Sequence, residues 1–255
     1  MLADGGRLKL EWSTLTSRSG NGVDDVLWWE DGRLIGFVGL YAFGGPVVEL
    51  AGMVHPNSRR RGVGTRLLDE ATKLCREQGR DRILLVVPRT SPGGRALAES
   101  RRGILDHSEY ALDAAGVVAT NPPDPSLTLR PVSSADLADE ARILAEAFGR
   151  SEGSVALDAP DESRLVGERD GRVIATIRVH RTPEQWDIYG FAVESSFQGL
   201  GIGRDILRRV CDRAHEAGVT RLHLEVEVNN DRALGLYTSV GFTPTSTDDY
   251  YDIPL

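Results

Sequence analysis

From Asp31 to Val87 the chain repeats itself from Asp170 to Val226, in one register, at a constant separation of 139 residues and without a gap. Asp31-Gly32-Arg33 answers to Asp170-Gly171-Arg172, Ile35 to Ile174, Val54 to Val193, Gly62 and Gly64 to Gly201 and Gly203, and Leu68 to Leu207. Gly79, Arg82, Leu85 and Val87 continue the match with Gly218, Arg221, Leu224 and Val226. So many coincidences in a single register mark a duplicated module. A chain of 255 residues, 40% of them hydrophobic, is long enough to bury two small cores. Two domains are therefore expected, 1–120 and 126–255. The polar, proline-rich Asn121-Pro-Pro-Asp-Pro125 between them reads as a stiff exposed linker.

One secondary-structure reading serves both copies. Arg164 to Glu168 and Arg172 to His180 are rich in β-branched residues and flank Asp170-Gly171, a two-residue hairpin signal. Trp186 to Val193 reads as a further strand, followed by a glycine loop. The loop opens a helix in which Ile202, Ile206, Leu207, Val210 and Ala214 recur at helical spacing, closed by Gly218. Leu222 to Val226 alternates as a strand, Asp231 to Ser239 reads as a short helix, and Gly241-Phe242 leads into a last hairpin. The acidic Asp248-Asp249-Tyr250-Tyr251-Asp252 reads as a polar edge strand, with a weaker reading as a contact for a cationic amine. Each module is thus expected to be α/β, a mixed, largely antiparallel sheet flanked by helices. The first copy is short at its start: Met1 falls opposite Glu140, leaving no counterpart for the strand at Thr128–Pro131 or the helix at Ala135–Phe148. Leu8, Leu10 and Trp12 are candidates for a substitute strand.

A net charge of −8 argues against nucleic acid or an anionic membrane as partner, since both would repel the chain at long range. The two cysteines, Cys75 and Cys211, lie in apolar-periodic segments and read as small buried hydrophobes, which speaks against a disulfide framework or a metal site. No apolar run approaches the length of a membrane span and the N-terminus lacks a signal-peptide core, so a cytoplasmic location is expected.

Gln198-Gly199-Leu200-Gly201-Ile202-Gly203 stands between a strand and a helix. Such a turn aims several backbone N–H groups at one point beside a positive helix end, and glycines allow a phosphate to approach closely. A glycine-rich turn is also an ordinary tight connection. It is not a Walker loop, because no Lys-Ser or Lys-Thr follows, and its spacing differs from the G-x-G-x-x-G of dinucleotide folds.

Taken together, Phe191-Ala192-Val193, the glycine loop, Asn230-x-x-Ala233, Leu236-Tyr237 and Gly241-Phe242 resemble the GNAT superfamily of N-acetyltransferases. The resemblance covers residues 127–255 and, more weakly, about 26–112; the two-module arrangement is similar to that of the mycothiol synthases, though this chain is shorter. It implies acetyl-CoA as co-substrate and no metal. The pyrophosphate would lie on the N–H groups of Leu200, Gly201, Ile202, Gly203 and Arg204, with Gln198 and Gly199 completing the loop. The pantetheine arm would lie along the strand ending near Val193, and the thioester carbonyl would be polarised by backbone N–H at Ala192 and Val193. By the same resemblance Tyr237 is the acid that protonates the leaving thiolate, and Asn230 contacts the CoA arm.

Each role has a plainer counterpart. A tyrosine on a short helix also packs at a core edge, and Asn230 is ordinary helix-capping chemistry. For the base that deprotonates the attacking amine the candidates are Asp187, whose even spacing from Val193 places both on one strand face, and Glu225 on the adjacent strand. Either carboxylate could instead be a solvated or ion-paired side chain. His180 and His223 are weaker candidates for the same role, and Trp186 and Tyr189 could line a cleft. In the first copy Ala98 stands at the tyrosine position and Ser91 at the asparagine position, which marks that copy as a degenerate module. The leading expectation is an N-acetyltransferase acting on a primary amine of a small molecule, with the second copy catalytic and the chain a monomer or homodimer. The alternatives are a non-catalytic acyl-CoA-binding scaffold and a protein lysine or N-terminal acetyltransferase.

Overall fold

The computed structural model describes residues 9, 24–42, 46–115, 123–149 and 162–255. They fall into two compact units, Met1–Glu109 with Ser246–Leu255, and Tyr110–Thr245. Residues Leu8, Leu10 and Trp12, expected as a substitute strand, lie outside the described residues.

The first unit runs β1 (Asp25–Glu30), β2 (Arg33–Tyr41), β3 (Val47–Val54), α1 (Val63–Glu77), β4 (Arg82–Pro88), α2 (Pro92–Ser100) and the start of β5 (Ile104–Ala114). The second runs from the end of β5 through β6 (Leu127–Pro131), α3 (Leu137–Phe148), β7 (Glu162–Arg169), β8 (Arg172–Arg181), β9 (Gln185–Val193), α4 (Ile202–Glu216), β10 (Arg221–Glu227), α5 (Asp231–Thr238) and the start of β11 (Thr243–Ile253). In each unit the sheet is mixed: β3 and β4 run parallel, as do β9 and β10, whereas β1–β2–β3 and β6–β7–β8–β9 are antiparallel. The Asp31-Gly32 and Asp170-Gly171 turns have positive φ at both residues, 49° and 72° in the first and 51° and 75° in the second. That backbone twist suits a tight hairpin, as the dipeptides predict. Helix α4 buries Ile202, Ile206, Leu207, Val210, Cys211 and Ala214 against the sheet, and each of its larger aliphatic side chains contributes roughly 2 kcal/mol by leaving water. Burial pushes the Cys211 thiol up to about 12, and it raises that of Cys75 as well, so both stay protonated and inert.

The ends of the repeats are traded. In the first unit the strand order is β1-β2-β3-β4-β11-β5, so the strand that ends the second repeat lies against β4 of the first. Asp248–Ile253 pair antiparallel with Pro88–Ile83. In the second unit β5, the last strand of the first repeat, lies beside β10. The 139-residue register carries through the trade: Asp113 on β5 pairs with Arg221 at 2.7 Å, and its repeat mate Asp252 on β11 pairs with Arg82 at 2.7 Å.

Two expectations are corrected by this arrangement. No hairpin follows Gly241-Phe242; a single eleven-residue strand does, because the place of its partner is filled by a strand from the other repeat. Nor is the acidic stretch an edge: β11 lies between β4 and β5, Tyr250 is fully buried, and Asp249 is buried where Arg89 and Ser108 hydrogen-bond its carboxylate. The proline-rich segment lies between the two matched stretches of sequence. The compact units have other limits, because β5 and β11 each begin in one unit and end in the other.

The start of α3 is fixed by Asp136, whose carboxylate accepts the Ser133 N–H at 2.7 Å and both arms of Arg130 at 2.7 and 2.9 Å. The Arg130 guanidinium first, and the Ser133 donors after it, outweigh burial and hold this carboxyl well below the usual carboxylate range. A lowered folded-state pKa gives stability that is complete above the unfolded value, 3.8, and is lost as pH falls below it. Asp136→Ala is expected to cost about 2 kcal/mol at pH 7 in urea unfolding, and distinctly less at pH 3.

Candidate active site

In the second unit β9 and β10 share four residue pairs, from Gln185 with Arg221 to Ile188 with Leu224. Tyr189–Val193 and Glu225–Glu227 extend beyond the last pair, so the two strands fork. The other side of β9 is irregular: between the pairs Thr176–Ala192 and Arg178–Tyr189, two steps on β8 stand opposite three on β9. The extra residue forms a β-bulge at Gly190, whose φ of 54° is a left-handed value that glycine adopts without strain. A fork of this kind turns ladder N–H and C=O groups toward any ligand able to act as the missing strand.

The glycine loop lies at the end of β9. Gly201 is the N-cap of α4 with φ 82° and ψ −4°, and no side chain caps the helix. A Cβ at Gly201 would meet nothing within 4 Å, so open space lies before the first-turn amides of Ile202, Gly203 and Arg204. Gln198 Nε2 donates to the Val193 carbonyl at 2.7 Å and ties the loop to the strand. Gly203 lets α5 come close: a Cβ there would stand 3.3 Å from the Leu236 side chain. The neighbouring Tyr237 packs in the same core cluster as Ile202 and Ile206 of α4. Its ring packs edge-on to Phe242 with centroids 6.2 Å apart, and burial pushes its hydroxyl up to about 12. Among the described residues that hydroxyl has no hydrogen-bond partner. Asn230 caps α5, its Oδ1 accepting the Ala233 N–H at 3.0 Å.

The bulge also overturns the expected placement of Asp187. Trp186 and Ile188 pack in the same cluster as Phe191 and Val193, on the α4 side, whereas Ala192 packs with Ile143 of α3. Alternation therefore shifts by one across Gly190, and Asp187 lies on the face opposite Val193. There it gathers the other candidates. Asp187 is the register partner of His180 on β8 and of His223 on β10. Leu222, Leu224 and Val226 face α4, so His223 and Glu225 face the same way as Asp187. His223 Nε2 is 3.8 Å from Glu225, and its Nδ1 is 2.7 Å from Asp113. Tyr189, 37% exposed, is on this face too, whereas Trp186 packs on the α4 side. Asp113 escaped the sequence reading because it belongs to the first repeat; its signal was the Asp113–Asp252 match at the repeat separation.

The first unit keeps the loop and the fork but not the bulge or the polar face. Gly62 caps α1 with φ 82° and ψ 0°, Arg59 Nε donates to the Val54 carbonyl at 3.1 Å, and β3 and β4 also part after four pairs. However, β2 and β3 pair without any shift, from Gly36–Val54 to Tyr41–Glu49, so the bulge is missing. Tyr41, Leu84 and Val86, in the places of His180, His223 and Glu225, form an apolar cluster with Tyr250. Glu49, in the place of Asp187, is ion-paired with Lys9 at 3.5 Å.

Among the described residues no helix is long and apolar enough to cross a membrane. The model of the Acetyltransferase (GNAT) family matches residues 6–104 and again 134–242. The mycothiol acetyltransferases of Sanguibacter keddieii and Thermomonospora curvata are each 30% identical to this chain. The first match covers 77% of the chain and 71% of that relative, the second 96% and 86%. A GCN5-related N-acetyltransferase from Sphaerobacter thermophilus shares the fold with a TM-score of 0.78 at 18% identity, over 95% of this chain and 86% of that one.

Proposed function

This chain belongs to the GNAT family of acetyltransferases, and from that premise we propose that it acetylates a primary amine of a small molecule, with the second unit as its catalytic centre. The observation that carries the assignment to the second unit is the bulge at Gly190 with the polar face beside it: in the first unit the bulge is absent, and of the positions of His180, Asp187, His223 and Glu225 only that of Asp187 keeps a carboxylate, Glu49. The residues present suit acetyl-CoA: Leu200, Gly201, Ile202, Gly203 and Arg204 would hold its pyrophosphate, and the free edge of β9 up to Ala192 and Val193 would pair with its pantetheine amides. Bound there, acetyl-CoA supplies an activated acyl carbon and a thiolate leaving group.

The chain's own part is positioning and two proton transfers. Backbone N–H groups freed at the bulge would stabilise charge on the thioester oxygen. Asp187 or Glu225 would take the proton of the attacking amine, directly or through water. Tyr237, its pKa raised by burial, is protonated throughout the physiological range and would donate to the departing sulfur. The names of the mycothiol acetyltransferase relatives favour a small acceptor over a polypeptide.

The test is release of free thiol from acetyl-CoA in the presence of a panel of primary amines, with the product identified by mass. Amine-dependent release is expected, and Asp187→Asn or Glu225→Gln is expected to lower kcat roughly 100-fold at neutral pH, less at alkaline pH where the amine is already deprotonated. Binding of acetyl-CoA without amine-dependent release would establish the scaffold alternative. Transfer confined to peptide amines would establish a protein acetyltransferase.

A further inference from the structure

The partner of His223 comes from the other repeat. Asp113, on the strand exchanged into the second unit, is 2.7 Å from His223 Nδ1 and also receives the Arg221 guanidinium at 2.7 Å. Burial would raise the pKa of this carboxyl, but the hydrogen bonds from Arg221 and His223 outweigh it and keep Asp113 ionised. An ionised carboxylate at Nδ1 holds the imidazole in one tautomer and one orientation. His223 is itself buried, 4% exposed, with its far nitrogen toward Glu225 and its register partner Asp187 on the next strand.

We propose that Asp113 is a positioning residue of the second unit's acceptor side, acting through His223 on the carboxylate pair Asp187 and Glu225. The first repeat would then contribute to the site of the second through one side chain on a traded strand. This rests on the second unit being the catalytic one. The repeat supplies an internal control. Asp252 makes the equivalent ion pair with Arg82 in the first unit, but the residue in the place of His223 there is Leu84. Losing Asp252 therefore removes a strand-fastening ion pair without touching a histidine.

The experiment compares Asp113→Ala, Asp252→Ala, His223→Ala and the Asp113→Ala/His223→Ala double variant in the full chain. Both Asp113→Ala and Asp252→Ala should lower Tm, the first by more because it also removes the hydrogen bond to the buried His223. Only Asp113→Ala should also lower kcat, about tenfold, with affinity for acetyl-CoA by calorimetry unchanged. The double variant should lose no more kcat than His223→Ala, because the two act in series. Equal kcat in Asp113→Ala and Asp252→Ala, or losses that multiply in the double variant, would overturn the proposal. A readout independent of turnover separates it from the functional reading. The ¹⁵N spectrum of His223 at pH 8 should show Nδ1 protonated in wild type and in Asp252→Ala, and mixed tautomers in Asp113→Ala. Mixed tautomers in wild type would sink the inference even in an active enzyme. A single tautomer released by Asp113→Ala, in a chain that transfers nothing, would uphold the positioning contact and sink the functional reading instead.

Discussion

Gly201→Glu is expected to abolish binding of acetyl-CoA to the second unit, with a loss of more than 100-fold in affinity by titration calorimetry. Two effects contribute. A side chain at φ 82° is strained by about 1–2 kcal/mol, and a carboxylate in the open space before the α4 amides would repel a pyrophosphate and occupy its seat. Gly201→Ala carries the strain without the charge and separates the two; a free loop that relieves the strain by leaving the left-handed geometry must regain it on binding, so affinity should fall by at most about tenfold, since 1.4 kcal/mol is a factor of ten. Equal affinities for the alanine and glutamate variants would mean that the pyrophosphate does not sit on this loop. Gly62→Glu makes the matching change in the first unit, where the loop geometry is the same and the bulge is absent. Turnover should survive it, and the stoichiometry of binding in wild type and in this variant reports whether the first loop takes a nucleotide as well.

Tyr237→Phe is expected to lower kcat 100-fold or more while leaving the KM for acetyl-CoA and the fold nearly unchanged. The ring belongs to the core beside Phe242, a phenylalanine retains that packing, and the hydroxyl contributes no hydrogen bond among the described residues. The pH dependence has a definite sign. The folded-state pKa, about 12, lies above the ordinary tyrosine value of 10.0, so the contribution to stability is complete below pH 10 and declines as pH rises from there toward 12. Wild type should therefore lose stability over that window more steeply than Tyr237→Phe, and its kcat should show no alkaline fall from this group below pH 10. A wild-type kcat retained by the phenylalanine variant would remove Tyr237 from the proton transfer.

The elements that depend on local pattern were legible in the sequence. Asp170-Gly171 demanded positive φ and formed a tight turn; the spacing of Ile202, Ile206 and Val210 demanded a helix and buried that stripe. The glycine loop was legible because only a left-handed residue fits its N-cap. Two features were not. Gly190 sits in a strand whose alternation looks regular on paper, and only the ladder with β8 shows that one residue is extra, which moves Asp187 to the opposite face from Val193. The partners of β11 are absent from its own pattern: Asp248 and Asp249 suggest solvent, and their burial depends on donors far away in sequence, such as Arg89 and Ser108 for Asp249. Asp113 was missed for the same reason, since its meaning lies in a strand pairing and not in its neighbours along the chain.

The traded strands also decide the order in which the protein is finished. On the ribosome β4 is complete once Pro88 has emerged, but its neighbour β11 extends to Ile253 and follows every other described strand along the chain. Through the whole synthesis of the second repeat, the first carries an unpaired sheet border, the kind of border on which chains stick to one another. Contacts this distant along the chain also slow the closing search. The repeat that is translated first therefore cannot complete its sheet until the second has been made, and its dependence on chaperones should end only when β11 has emerged.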